Sequence, residues 1–354
     1  MRATVDEAAG LGEGAPMSRR DLLLSIAAFG LGRPLRREEV DALDRWRDWQ
    51  SVLPVRVLTL NHVSFSCDDI NATIAWYDRV LGIPEHAFQD YLGGGAGQRV
   101  LRASIDPPAY MALTQRQPAQ IGQPRTGRPH FCWGIPDFNV HRILAALAEM
   151  KIPAQSTLRE GTTINGVNFD APEDAGLQFN PVNACGGVGF FGEICNENAA
   201  PQRRPGDAPP VQVLTMNHLK YRVGNLQTAL AWYTQLTDMR VVHYQEPANG
   251  PRTPDYDGPP IPVLRIGPGP QHLAFVEGLG PEASRMHVGF GVADFDPDRV
   301  MARLREHRVT AQIRLREGVT PEVIVDGPEN VRIQLQDVSY AGGTGPLGNV
   351  LRGA

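Results

Sequence analysis

The segment Val57-Leu58-Thr59-Leu60-Asn61-His62-Val63 returns further along the chain as Val213-Leu214-Thr215-Met216-Asn217-His218-Leu219. The two histidines are 218 − 62 = 156 positions apart. The same offset relates three further pairs, namely Trp76 and Trp232, Gln178 and Gln334, and Gly189 and Gly345. Matches that keep one offset over so long a stretch indicate a tandem duplication.

The duplication sets the predicted domain boundaries. We expect an N-terminal extension over residues 1–52, a first domain over 53–197, a linker over 198–210 and a second domain over 211–354. The linker is rich in proline, arginine and alanine, a composition typical of chain between domains. A length of 354 residues also suits two domains better than one.

Each half repeats its own pattern once more, though less clearly. Alternating residues after His62 read as a strand, and apolar residues at helical spacing follow over 70–81. The same layout follows His130, His218 and His287, and about three short strand-like segments come after each helix. The sequence therefore predicts an α+β fold in which each duplicated domain contains two βαβββ modules.

Composition excludes several classes of function. The formal net charge is −5 and the sequence pI is about 6.0, so the chain lacks the basic character of proteins that bind nucleic acid. No apolar run has the roughly 18 residues that a membrane span needs. Of the 34 basic residues only Lys151 and Lys220 are lysines, so the chain has few amines that could form a Schiff base with a substrate.

The localisation has two interpretations. Arg19-Arg20 precede a weakly hydrophobic stretch, which resembles a twin-arginine export signal and would place the protein in the periplasm. The alternative is a cytoplasmic protein whose N-terminal amphipathic helix docks on its body. Cys185 and Cys195 would form a disulfide in the exported protein and remain free thiols in the cytosol.

Histidine and glutamine recur at equivalent strand positions. The first half carries His62, His130 and Gln178, and the second half carries His218, His287 and Gln334. Imidazole nitrogens are good ligands for divalent iron, zinc, nickel and copper. These histidines are therefore either metal ligands or hydrogen-bonded residues of the core, and both interpretations stay open.

The order of these elements resembles the vicinal oxygen chelate superfamily, which contains glyoxalases, extradiol dioxygenases and bleomycin-resistance proteins. The resemblance rests on Asn61-His62 with Trp76-Tyr77, on His130-Phe131, and on their second-half copies. It implies that each half curls into a U-shaped, mostly antiparallel sheet around a divalent metal. In the extradiol branch the ligands are histidines on the first and fifth strands and a glutamate on the eighth, so Fe(II) is favoured over Zn, Ni or Mn.

The sequence departs from that branch on the eighth strand. Gln178 and Gln334 stand where the dioxygenases have glutamate, and a neutral amide binds a divalent ion less tightly than a carboxylate. Ala112 and Ala274 occupy the probable fourth-strand positions, where glyoxalases carry an acid. The site is therefore similar to that of the dioxygenases but lacks their negative charge.

Three functions follow from this resemblance. The first is a metal-dependent, dioxygenase-like enzyme that acts on a small substrate with neighbouring oxygen atoms, such as a catechol, and that works as a monomer or a homo-oligomer. The second is a glyoxalase-like lyase or isomerase. The third is a metal-free protein that binds small molecules.

Other motifs complete the sequence-based picture. We take His243, Tyr244 and His272 as candidate acid–base residues in the second half, with surface or packing roles as the alternative. Two glycine-rich segments near 187–192 and 343–348 match GxGxxG but do not lie between a strand and a helix. We therefore expect closing loops beside each sheet and no dinucleotide cofactor.

Overall fold

The structure is a computed structural model. It describes residues 53–89, 97–104, 106–121, 130–159, 163–172, 175–187, 192–194, 209–246, 260–278 and 286–352. The twin-arginine segment, Cys195 and nearly all of the linker lie outside these ranges. Residues 51–354 form one compact unit, so the two halves pack against each other.

The first half contains eight strands and two helices in the part that is described. Its elements are β1 (Thr59–Cys67), α1 (Ile70–Leu81), β2 (Glu85–Gln89), β3 (Gln98–Ser104), β4 (Ala109–Gln115), β5 (His130–Ile135), α2 (Val140–Glu149), β6 (Ala154–Arg159), β7 (Thr163–Asp170) and β8 (Gly176–Pro181). They form a sheet with the strand order β2-β3-β4-β1-β5-β8-β7-β6.

The second half repeats this arrangement. Its elements are β9 (Val213–Val223), α3 (Leu226–Leu236), β10 (Arg240–Gln245), β11 (Ile261–Arg265), β12 (His272–Glu277), β13 (Met286–Val292), α4 (Pro297–Glu306), β14 (Ala311–Arg316), β15 (Thr320–Asp326) and β16 (Arg332–Asp337). The strand order is β10-β11-β12-β9-β13-β16-β15-β14.

Strand pairing confirms the predicted α+β fold and its two βαβββ modules per half. Within a module the first and fourth elements of the sheet pair in parallel, as in β1 with β4 and β13 with β16. The modules of each half join through an antiparallel pair, β1 with β5 and β9 with β13. The remaining neighbours are antiparallel, so the sheet is mostly antiparallel, as expected.

Local sequence explains where the helices start. Each helix follows an Asp or Asn whose side chain accepts a hydrogen bond from a backbone N–H of the first turn, the usual N-cap arrangement. These residues are Asp69, Asn139, Asn225 and Asp296. The apolar faces of the four helices lie against one face of the sheets. The other face of each sheet is therefore the one available for a site.

The two halves share an aromatic core. Phe131 lies 5.9 Å from Tyr221, and Trp133 lies 5.6 Å from Tyr233 of the other half, measured between ring centroids. The residues three positions after each repeated histidine are Phe65, Trp133, Tyr221 and Phe290, and their odd spacing on a strand places them on the sheet face opposite the histidines. Trp133, Tyr221 and Phe290 are buried there, whereas Phe65 is half-buried.

No helix among the described residues is long and apolar enough to cross a membrane. Cys67 and Cys132 are buried and are not disulfide-bonded. Cys185 is disulfide-bonded, and Cys195, its expected partner, lies outside the described ranges.

Candidate functional site

Strand register brings the second-half site residues into one row. His272, His218, Gly289 and Gln334 are successive neighbours across β12, β9, β13 and β16. His287 lies two residues before Gly289 and therefore faces the same side of the sheet. We call the surface formed by His218, His272, His287 and Gln334 the histidine face.

His218 and His287 point their ring nitrogens at each other. Their Nε2 atoms are 3.1 Å apart, and the rings meet edge to face at 77°. Two nitrogens bound to one ion at about 2.1 Å and at a right angle would be about 3.0 Å apart. The pair therefore has the separation of two neighbouring metal ligands, and without an ion the same separation suits a hydrogen bond in which His287 Nε2 donates to His218 Nε2.

A neighbouring amide fixes the tautomer of His218. Asn217 Nδ2 donates a hydrogen bond to the Tyr340 carbonyl at 2.8 Å, which leaves Asn217 Oδ1 as an acceptor. His218 Nδ1 lies 3.1 Å from that oxygen and so carries the proton. Its Nε2 then keeps a free electron pair toward His287, as in metal-bound histidines whose other nitrogen donates to a carbonyl.

Glycine at position 289 makes room for this geometry. A Cβ atom there would lie 2.1 Å from His218 Nδ1 and Cε1, closer than any side chain can approach. The register partner of His62 in the first half is Cys132, where the second half has Gly289. The first-half histidine therefore cannot take the same position over the sheet.

The first-half histidines are indeed arranged differently. The rings of His62 and His130 are stacked at 24°, with centroids 5.4 Å apart. His130 Nε2 donates to Gln178 Oε1 at 3.1 Å, and Gln178 Nε2 donates to Asn180 at 2.9 Å. Because His130 Nε2 carries a proton in this network, the first half does not present two free nitrogens to one ion.

Gln334 presents its amide nitrogen, and not its oxygen, to the histidine face. Arg314 Nη2 donates to Gln334 Oε1 at 3.3 Å, and arginine can only donate. Gln334 Nε2 is buried without a hydrogen-bond partner. Gln334, the third predicted ligand position, therefore offers the site a hydrogen-bond donor and no oxygen that could bind a metal.

A buried ion cluster holds Arg314 in place. Glu322 accepts hydrogen bonds from Arg314 at 2.6 Å, from Arg316 at 2.7 Å and from Tyr340 at 2.9 Å. Burial alone would raise the pKa of Glu322, but Arg316 and Arg314 outweigh it and hold this pKa well below 4.5. The Glu322 carboxylate is thus charged and is hydrogen-bonded to both guanidinium groups.

His218 and His287, the two predicted histidine ligands of the second half, are neutral. Burial lowers the pKa of His218 well below 6.5, and the neighbouring His272 and His287 lower it further. Burial, followed by the charge of Lys220, lowers the pKa of His287 in the same way. Neutral imidazole is the form that binds metals.

The three acid–base candidates fall in different places. His272 stacks on His218 with centroids 4.6 Å apart, whereas Tyr244 is 46% exposed. His243 is buried farther along β10, 3.8 Å from Glu317 and within 3.4 Å of the Arg352 backbone. The structure therefore brings only His272, of these three, into contact with the predicted metal ligands.

His272 is oriented with an unprotonated nitrogen in the site. Its Nδ1 lies 3.1 Å from the Pro270 carbonyl, so Nδ1 carries the proton. Its Nε2 is buried with no hydrogen-bond partner. Burial lowers the pKa of His272 to about 3, which keeps this nitrogen free at neutral pH.

The second glycine-rich segment covers the site, as the sequence predicted for a closing loop. Gly342 adopts a φ of +74°, and a Cβ there would lie 2.8 Å from His272 Nε2. Gln245 Nε2 donates to the Gly342 carbonyl at 2.8 Å, and Gln89 makes the equivalent bond to Gly186 in the first half. The glycine lets backbone approach the histidines where a side chain would fill the space.

Sequence reasoning did not identify Asn217, Glu322 or Arg314. Asn217 was detectable, because it repeats Asn61 at the same offset as the histidines, and Asn61 Oδ1 lies 3.1 Å from His62 Nδ1. Glu322 and Arg314 carried no such signal. The first half has glycine at the position equivalent to Glu322 in strand register.

The described residues fit a divalent metal ion only in part. His218 and His287 supply two neutral nitrogens at a suitable separation. The third position is an amide, and within the described ranges no three His, Cys, Asp or Glu side chains are arranged to hold a metal. Among the described residues, the predicted ligand positions therefore offer such an ion no charged ligand.

Comparison with known proteins supports the family. Residues 215–335 match the model of the Glyoxalase/Bleomycin resistance protein/Dioxygenase superfamily. The matched segment covers 121 of the 354 residues and lies within the second half of the chain. The predicted resemblance is confirmed, and the matched segment runs from Thr215 on β9 to Leu335 on β16 and contains the histidine face. Comparison with curated protein sequences gives no match.

Several solved structures have a similar fold. The 2,3-dioxygenase LapB from Pseudomonas sp. KL28 is 15% identical, with 80% of this chain and 92% of that chain covered and a TM-score of 0.55. An extradiol ring-cleaving dioxygenase from B. fuscum is 14% identical, with 82% and 75% covered and a TM-score of 0.57. Homoprotocatechuate 2,3-dioxygenase from Arthrobacter globiformis is 14% identical, with 81% of each chain covered and a TM-score of 0.55. At these identities the likeness concerns the fold.

Proposed function

We propose that the second half binds one divalent metal ion through His218 and His287. We further propose that the chain is a metal-dependent enzyme acting on a small molecule with two neighbouring oxygen atoms. The observation that carries this proposal is the pair of Nε2 atoms 3.1 Å apart, one of them held in the metal-binding tautomer by Asn217. A dioxygenase-like reaction on a catechol is our first choice, since the solved neighbours are ring-cleaving dioxygenases.

The metal would act as a Lewis acid that stabilises negative charge on substrate oxygens. Fe(II) suits a dioxygenase, whereas Zn(II), Ni(II) and Mn(II) are the alternatives. With few protein ligands, most coordination positions stay open to substrate and water. The chain contributes orientation and exclusion of water, because the histidines and the loop around Gly342 are buried.

His272 is the acid–base residue in this proposal. Its Nε2 lies in the site with a free electron pair, because Nδ1 is hydrogen-bonded to the Pro270 carbonyl. It can therefore accept a proton from a substrate hydroxyl. Gln334 Nε2 can donate a hydrogen bond to the resulting oxyanion, since its own oxygen is held by Arg314.

A second candidate function, that of a lyase or isomerase, is supported by the glutamine at position 334, where a carboxylate ligand would be expected in a dioxygenase. Gln334 is neutral and Arg314 contacts it, so the site does not reproduce the two-histidine, one-carboxylate ligand set of Fe(II) dioxygenases. Lyase or isomerase chemistry through a Lewis-acid metal does not require oxygen activation and tolerates this arrangement. Oxygen consumption with catechol, compared with catechol-independent turnover of glyoxalase substrates, separates the two functions.

Metal stoichiometry tests the proposal directly. Untagged protein is dialysed against Fe(II), Zn(II), Ni(II) or Mn(II) without oxygen and then analysed for bound metal. We expect one ion per chain, which the H218A/H287A variant loses and the matched H62A/H130A variant keeps. Metal retained by H218A/H287A, or full activity in metal-free protein, would overturn the proposal.

A further inference from the structure

The histidine face is covered by the chain segment that follows β16. His218 and His272 are each 1% exposed and Gln334 is 0% exposed, so a small molecule reaches them only after part of the cover has moved. The Tyr340 ring lies over both histidine rings, with centroid distances of 5.6 Å. The backbone at Gly342 comes so close that a Cβ there would lie 2.8 Å from His272 Nε2. We call residues 341–351 the second-half loop.

The second-half loop is a compact turn that can move as one piece. The backbone N–H groups of Ala341 and Gly343 donate to the Gly348 carbonyl, at 3.0 and 2.8 Å. The loop begins directly after Tyr340, whose hydroxyl is held in the buried ion cluster. One end of the loop is therefore anchored to the sheet, while its internal hydrogen bonds do not depend on the sheet.

Two side-chain hydrogen bonds hold the loop in its closed position. Gln245 Nε2 donates to the Gly342 carbonyl at 2.8 Å, and Thr320 Oγ1 donates to the Gly345 carbonyl at 2.5 Å. Each such bond contributes little net stability, because water replaces it when it opens. The φ angles at Gly342 and Gly345 are +74° and +84°, and glycine can leave this region without a steric penalty.

The first half carries the same loop in a cross-linked form. The backbone N–H groups of Cys185 and Gly187 donate to the Gly192 carbonyl, at 2.9 and 3.2 Å, which repeats the turn of the second-half loop. Cys185 is disulfide-bonded, whereas its counterpart 156 positions later is Ala341 and the second half contains no cysteine. Covalent closure thus occurs in the half whose histidines do not present two free nitrogens to one ion.

We propose that the second-half loop is a lid that opens to admit a small molecule or an ion to the histidine face, whereas a disulfide holds the corresponding loop of the first half closed. Opening moves the backbone at Gly342 away from His272, whose Nε2 is buried without a hydrogen-bond partner in the closed form. The inference goes beyond the proposed function, because it concerns access to the site and predicts opening in metal-free protein as well.

Acylation of histidine by diethyl pyrocarbonate measures the opening in metal-free protein. The reagent attacks unprotonated imidazole, and burial lowers the pKa of His272 to about 3, so its reaction at pH 7 is limited by access. Mass spectrometry follows each histidine separately. Exposed His307 gives the rate without a cover, and buried His62 reports unfolding of the whole molecule. We expect His272 to react more slowly than His307 but faster than His62; a rate no faster than that of His62 would overturn the inference.

A cross-link across the lid provides the decisive comparison. The variant A341C/L351C places cysteines 156 positions after Cys185 and Cys195. The Leu351 side chain lies 3.1 Å from a Cβ built on Gly343, and the Cys185 sulfur lies 3.3 Å from a Cβ built on Gly187. In the oxidised variant we expect acylation of His272 to be slower by roughly tenfold or more than in the control A341S/L351S, because the disulfide restricts opening. Equal rates in the two variants would contradict a lid.

A loosened lid tests the inference without a cross-link. Q245L removes the hydrogen bond to the Gly342 carbonyl and should raise the acylation rate of His272 about two- to tenfold. Q89L removes the equivalent bond to Gly186 in the first half and should leave this rate unchanged. An unchanged rate in Q245L would contradict the lid, and an equal increase at His62 would show global unfolding in its place.

Discussion

At the scale of single residues, Gly289 distinguishes the two copies of the site. The absence of a Cβ lets the His218 ring lie across β13, while Cys132 fills the equivalent space in the first half. One small residue therefore determines whether two histidine nitrogens face each other.

The variant G289C should convert the second site to the first-half arrangement. We expect loss of the bound metal and a decrease of about 1–3 kcal/mol in the free energy of unfolding, because the new side chain overlaps His218. Metal analysis and urea unfolding measure the two effects. The matched variant C132G should leave metal content unchanged, and a G289C protein that still binds one ion would contradict the assignment.

Asn217 should matter for metal affinity through His218. The variant N217A removes the acceptor that holds His218 Nδ1–H, and the metal affinity should fall about 10–100-fold. Competition with a chromophoric chelator measures this affinity. N61A, which changes the equivalent first-half residue, should have no effect on it; a decrease in N61A as large as that in N217A would point to a general folding defect.

At the scale of elements, the pair of strands β14 and β15 holds a buried ion cluster beside the site. Glu322 is fully buried, whereas the first-half ion pair between Glu85 and Arg99 is about one-third exposed. Burial makes the difference, because a buried charge that loses its partner cannot be solvated.

The variant E322Q should therefore be strongly destabilised. It leaves Arg314 and Arg316 without their carboxylate, which costs about 3–5 kcal/mol, whereas E85Q should cost less than about 1 kcal/mol. Since the pKa of Glu322 lies well below 4.5, its contribution is present above that pH and is lost as the pH falls through the lowered pKa. Chemical unfolding should give the same difference between E322Q and the wild type at pH 7 and pH 5 and a smaller difference near about pH 3, whereas a difference that stays constant down to about pH 3 would show that the pKa is not lowered.

The sequence allowed the elements and their order to be predicted, because strand alternation, helical spacing and N-cap residues are local signals. It also allowed the six repeated histidine and glutamine positions to be aligned by their spacing. It did not indicate which half has facing nitrogens, since that depends on Gly289 and His218, which are 71 positions apart. The orientation of the Gln334 amide likewise depends on Arg314, a contact between separate strands.

At the scale of the whole molecule, the two halves are joined by side chains as well as by the linker. Gln271 of the second half accepts a hydrogen bond from the Leu60 backbone at 3.0 Å and donates one to Met216 at 2.8 Å. Trp133 of the first half packs on Tyr233 of the second. The halves thus share buried groups and should not unfold independently.

Calorimetry should show one cooperative unfolding transition for the compact unit formed by residues 51–354. Because Trp133 is fully buried between the halves, W133A should cost about 3–5 kcal/mol and lower the stability of both together. W76A, which changes a more exposed tryptophan on α1, is the matched control and should cost less. Two separate transitions in the wild type would contradict a shared core.

The contact between Asn217 and Tyr340 has a consequence for synthesis of the protein on the ribosome. Strand β9 is made more than a hundred residues before the loop that carries Tyr340 and Gly342. Until that loop emerges, Asn217 lacks the carbonyl that orients its amide, and His272 lacks its cover. A nascent chain can therefore assemble the first-half site early, whereas the second-half site is completed only after the segment with Tyr340 and Gly342 has emerged from the ribosome.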